Sequence, residues 1–211
     1  GHYLTVYGYD DATQAFTSMD SFLGPWDGGG HVDSYDFVND FWAQFNYAFV
    51  LVYAPEQETV IREILGPNLL DGRAMWRAAA QQAQAEIEAN PDNPFAWFNL
   101  GGSLTRLAKL TGQDDLWQNA AAAFDQARAI GLPWRMLWYQ FEPYEAYLEV
   151  GRPEDVLALT EATLTSEGGR GVEETYYFQG MARLAMGDTA AAETAFARAR
   201  QLNPNSLLNF D

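Results

Sequence analysis

Two hydrophobic periods divide the chain. As far as about residue 53 the apolar positions alternate or gather in short runs, whereas beyond Pro55 they recur at helical spacing. "HYLTVYGY" places Tyr3, Thr5 and Tyr7 on one face and Leu4 and Val6 on the other, the two-residue period of a strand. Asp10-Asp11 reads as a turn and "QAFTSMD" as the returning strand of a hairpin. The glycine content of "GPWDGGG" (24–30) predicts a loop. A short helix is expected from Ser34, with Asp33 or Ser34 as its N-cap and Tyr35, Val38, Phe41, Trp42 and Phe45 on its buried face. "NYAFVLVY" (46–53) reads as an apolar strand covered on both faces.

The helical part begins with one helix over 56–65, stopped by Gly66-Pro67, and an alanine-rich one over 71–89, ended by "NPDNP". The rest of the chain repeats. Tyr176, Gly180, Gly187, Ala192, Phe196, Ala199 and Pro204 form one copy of a pattern. Trp97, Leu100, Gly101, Leu104, Ala120, Phe124 and Ala127 form an earlier one, with a seven-residue excess near "TGQDDLWQN". Between them Tyr147 and Gly151 are kept, while Thr160 and Thr163 stand where Phe and Ala are usual. Over residues 92–206 this pattern resembles the tetratricopeptide (TPR) repeat, in which small residues let two helices approach and a large aromatic fills the gap beside them. Residues 71–91 fit a lone second helix of such a repeat, with Ala79, Ala83 and Pro91.

The opening "GHYLTVYGYDD…TSMDSFLGP" is similar to the second half of a papain-like, double-glycine (bacteriocin-processing) cysteine peptidase. The resemblance covers about residues 1–55. It implies His2 as general base and Asp20 as the acid that orients it, eighteen positions apart across the hairpin. The family's nucleophile lies N-terminal to this histidine, where the sequence has Gly1 alone. An imidazole and a carboxylate without a nucleophile cannot carry acyl transfer, so the pair is expected to be vestigial and the chain not to be a peptidase in itself. The absence of an initiator Met fits a longer precursor that has been processed or trimmed.

Composition narrows the alternatives. There is no cysteine, which excludes disulfides, thiolate metal sites and a cysteine nucleophile within the chain. Lys and Arg number 12 against 29 Asp and Glu, a net charge of −17 that argues against nucleic acid or an anionic membrane as partner. Residues 1–70 hold ten carboxylates and one basic side chain, Arg62, whereas 71–211 hold nineteen and eleven. No apolar run is long enough for a membrane span. His31, with Asp27, Asp33 and Asp36 nearby, matches no calcium-loop spacing and is better explained by a loop running into a helix cap, so neither metal nor cofactor is expected. The acidic, lysine-poor surface suits an exported, extracellular or cell-surface protein.

The expected fold class is α+β. A small antiparallel sheet, the papain-like remnant of residues 1–55, is followed by connecting helices over 56–91 and an all-α TPR-like solenoid over 92–211. The expected function is non-catalytic: interaction and assembly, through head-to-tail contacts between copies that make a homopolymer or filament. The alternatives are a fragment of a cysteine peptidase with a TPR module, and a TPR scaffold that binds a partner's peptide. Candidate contact residues are the aromatics Trp134, Trp138, Phe141 and Tyr144, and the tail residues Leu207, Leu208 and Phe210.

Overall fold

The computed structural model describes residues 3–24, 28–206 and 208. The chain forms two compact units, Gly1–Val52 and Tyr53–Asp211, and the class is α+β, with a small antiparallel sheet in the first unit and a helical solenoid-like array in the second.

In the first unit, β1 (Leu4–Asp10) and β2 (Ala15–Asp20) form the expected hairpin, paired from Leu4 opposite Asp20 to Asp10 opposite Ala15. The register shifts between Val6 and Gly8, so the simple alternation read from "HYLTVYGY" does not run through the strand. Asp10 shapes the turn, its Oδ1 accepting from the Ala12 N–H at 2.8 Å. A third strand, β3 (His31–Ser34), pairs antiparallel with β2 and follows directly from the glycine loop. Four residues are too few to show a period, which is why the sequence pattern missed it. Helix α1 (Tyr35–Ala43) starts at Ser34, whose Oγ accepts from the Phe37 N–H. Its expected buried face is only partly covered. Tyr35 packs on Phe16 with ring centroids 4.4 Å apart, but Phe41 and Trp42 stay exposed.

The strand expected over 46–53 is not formed. Asn46 and Tyr47 take the left-handed conformation, with φ of 52° and 53°, and turn the chain back so that Trp42 Nε1 donates to the Ala48 carbonyl at 2.8 Å. Residues 48–52 then run on outside the sheet with Phe49, Val50, Leu51 and Val52 exposed. A continuous apolar run is a strand signal only when something covers both its faces. Here nothing in the described residues does.

The second unit is built from α2 (Glu58–Leu70), α3 (Gly72–Ala89), α4 (Pro94–Thr111), α5 (Asp114–Ile130), α6 (Glu142–Glu149), α7 (Pro153–Leu164), α8 (Glu173–Ala185) and α9 (Thr189–Leu202). Gly66 breaks α2 with a φ of 69°, and the chain resumes helix after it instead of ending at residue 65. Asp71, Asn93 and Asp188 cap α3, α4 and α9 by accepting from backbone N–H groups of the first turn.

The seven extra residues of the first repeat copy are helix, not loop. Only Gly112 and Gln113 separate α4 from α5. Seven residues split over two helices add about one turn to each, which returns the facing sides to register. Gly101 accordingly meets Phe124 as Gly180 meets Phe196. A Cβ on Gly101 would come 2.6 Å from the Phe124 ring, and one on Gly180 would overlap the Phe196 ring in the same way. In the α6/α7 pair the sizes are exchanged. Tyr144 and Thr160 are sixteen positions apart, as are Gly180 and Phe196, but here the bulk is on the first helix and the small residue on the second. Both are fully buried. Rings link the pairs into one core: Phe98 to Phe124 at 5.4 Å, Phe124 to Tyr147 at 6.5 Å, Tyr144 to Phe178 at 5.1 Å and Tyr177 to Phe196 at 5.9 Å.

Candidate interaction surfaces

The chain has no cysteine and so no cysteine nucleophile. His2 lies outside the described residues. Asp20 shapes a turn, its Oδ1 accepting from the N–H groups of Phe22 at 2.7 Å and Leu23 at 2.9 Å. The other histidine, His31, sits in β3 with Nε2 2.9 Å from the Gly24 carbonyl oxygen. Asp27, one of the acids near it in sequence, is outside the described residues. No three His, Asp or Glu side chains come together as a metal site among the described residues. No described helix is long and apolar enough to cross a membrane.

The aromatic cluster of 134–144 divides. Tyr144 belongs to the core and presents nothing to a partner: it is fully buried, its hydroxyl lies 3.2 Å from Thr163 Oγ1, and burial pushes its pKa up to about 12. Phe141 is half-buried and stacks between Tyr144 and Phe178. Trp138 packs so closely on Gly168 that a Cβ there would overlap its ring, and its buried Nε1 has no acceptor among the described residues. Trp134 meets Trp138 edge-on at 5.5 Å, and Arg135 lies over both rings at about 6 Å. These aromatics mainly fill the junction between helix pairs. Of the tail candidates, Leu208 is half-buried, while Leu207 and Phe210 lie outside the described residues.

The first unit is the more exposed surface. Ser18 is its only buried residue among those described. Tyr3 is 73% exposed, Phe22 80% and Val52 95%, and Leu4, Val6, Tyr9, Val32, Phe37 and Phe41 are exposed as well. The strand order β1-β2-β3 leaves β1 and β3 as edges. The unit holds seven Asp and no Lys or Arg, so all twelve basic side chains belong to the second unit.

Two equivalent grooves run along the helical unit. One, of about 590 Å³, lies between α4 and α5, with Trp97, Leu100 and Leu104 on α4 facing Asn119, Ala122, Ala123 and Gln126 on α5; α3 walls it with Gln84, Ile87 and Glu88. The other, of about 600 Å³, has Tyr176, Gln179 and Arg183 on α8 facing Ala191, Thr194, Ala195 and Arg198 on α9. Counted from Gly101 and Gly180 the α4 and α8 positions match one for one, and the α5 and α9 positions match when counted from Phe124 and Phe196. Trp97, Leu100, Leu104 and Tyr176 belong to the repeat pattern, but the facing walls on α5 and α9 come mostly from positions that the pattern does not define, so the pattern alone does not reveal the grooves.

A charged network joins α5, α6 and α7. Arg152 forms a fork on Asp125 at 2.7 and 2.9 Å and also reaches Asp155, Arg128 meets Asp155 at 2.8 Å, and Tyr147 donates to Asp125. The hydrogen bonds from Arg152 hold the Asp125 carboxyl below the ordinary range. At Asp155 burial works the other way, but Arg128 and Arg152 outweigh it and that carboxyl is lowered too. The network is a structural clamp in which arginines satisfy both carboxylates. No protein-family model matches the chain, and no curated protein does.

Proposed function

We propose that this chain is a non-catalytic interaction and assembly protein that associates with further copies of itself head to tail. The observation that carries the reading is the contrast, among the described residues of the first unit, between one buried residue and a wide set of exposed aromatic and aliphatic side chains. Contiguous exposed apolar surface on a soluble domain marks a contact face, and open sheet edges invite a further element. The charge distribution favours unlike faces meeting, because two first units would bring only negative side chains together. A contact between unlike faces closes into a ring or propagates as a filament. The helical unit is read as TPR-like repeats that serve as the scaffold. The glycine–phenylalanine contact repeated in α4/α5 and α8/α9 supports that reading.

Light scattering of the purified chain across concentrations tests the proposal. Mass that grows with concentration is expected. A constant monomer mass up to high concentration would refute self-assembly and favour a separate partner protein.

A further inference from the structure

The α8/α9 groove is the more basic of the two and the one with fewer walls. Where the α4/α5 groove has Leu104 and Gln126, the α8/α9 groove has Arg183 and Arg198. Arg198 lies over the Tyr176 ring at 5.7 Å and donates to Gln201, and Arg183 has Asp188 at 4.0 Å. The first groove shows what lies beside such a surface: a helix, α3, that brings the apolar Ile87 and the acidic Glu88 to its wall. The second is lined by α8 and α9 alone among the described residues.

A helix of matching chemistry exists in the same chain. On α1, Phe37 and Phe41 are exposed with their rings 4.9 Å apart, and Asp36 and Asp40 stand one residue before each. Pairs spaced i and i+4 lie along one side of a helix, so α1 offers an apolar ridge flanked by a row of carboxylates. We propose that α1 of a second copy docks in the α8/α9 groove, with Phe37 and Phe41 against Tyr176 and the groove floor, and Asp36 and Asp40 meeting Arg183 and Arg198. This is helix-in-groove recognition, in which the apolar ridge gives contact area and the charges set orientation. It rests on the self-association reading and names its two faces. It also accounts for how a chain of charge −17 can associate: the contact joins the unit that has no basic side chain to a patch that has two.

The test uses the full native chain and four variants of it, followed by sedimentation velocity across concentrations at low and at high salt. Arg183→Glu/Arg198→Glu and Asp36→Arg/Asp40→Arg should each weaken association about tenfold or more, and salt should weaken the native contact. Combining all four substitutions restores opposite charges and should recover association. Arg62→Glu/Arg77→Glu, which makes the same charge change as the groove variant but outside the groove, should leave it intact. Helical circular dichroism checks that each form is folded. If the native chain assembles but the groove and α1 variants assemble equally well, or the fourfold variant does not recover, the inference is overturned and self-association stands. If the native chain never assembles, the self-association reading itself fails.

Discussion

The two units solve the burial problem in opposite ways. Helices α3 to α9 close a core of their own. Small residues at Gly101 and Gly180 admit the rings of Phe124 and Phe196, and Phe98, Tyr144, Tyr147 and Phe178 carry the packing from pair to pair. The first unit is richer in aromatics for its length, but most of those described lie on a three-stranded sheet, along a nine-residue helix and in the segment after it, where they remain open. Apolar content alone therefore does not make a core. What matters is whether the period of the apolar positions matches a second element that can cover them.

The largest expected effect lies in the ring–glycine contacts. Phe124→Ala or Phe196→Ala removes a buried ring and should cost about 3–5 kcal/mol, read as loss of thermal stability in the helical signal. Phe22→Ala, at an open ring of the first unit, should change that melt by no more than about 0.5 kcal/mol. Equal effects at Phe22 and Phe124 would erase the distinction between the units.

Next comes the size exchange in the α6/α7 pair. Thr160→Phe alone forces a ring into a fully buried position and should cost about 1–3 kcal/mol or more. Adding Tyr144→Gly recreates the arrangement of the neighbouring pairs and should recover part of the loss. A double variant worse than the sum of the two singles would show that the pairs are not built on one plan.

The charged clamp should matter less. Asp125 is about two-fifths exposed, so after allowance for solvent screening Asp125→Asn should cost about 1–2 kcal/mol. Its pH dependence has a definite sign. The carboxyls of Asp125 and Asp155 are lowered in the folded chain, so their contribution is complete above the ordinary Asp range and is lost as pH falls through the lowered values. Melts taken downward in pH from neutrality should show a loss that Asp125→Asn reduces. The smallest effect on stability is expected for Phe37→Ser/Phe41→Ser, within about 0.5 kcal/mol. That variant should nonetheless bind less of an apolar dye such as ANS and associate less.

What the sequence revealed follows the same division. Helices from 71 onward were readable because each has several turns, a cap such as Asp71 or Asp188, and small–large residues at fixed offsets. The first hairpin was readable from its alternation and its Asp turn. The failures cluster where local signal and tertiary cover part company. "NYAFVLVY" has the composition of a buried strand but no cover, β3 is too short to show a period, and α1 has an apolar stripe that the chain leaves open. Tyr144 stands in an aromatic run whose members the sequence does not sort into core and surface; in the fold it is fully buried, with its hydroxyl at Thr163. The grooves are not legible in the pattern because much of their lining, such as Asn119 and Gln126 in one and Thr194 and Arg198 in the other, lies at positions the repeat does not define.

The most direct measurement is amide hydrogen exchange on the native chain at low and at high protein concentration. If the first unit is covered by another copy, protection over β1, β2 and α1 should rise with concentration while that of α4 and α5 stays constant. Protection of the first unit that does not change with concentration would contradict the assignment of its exposed surface to self-assembly.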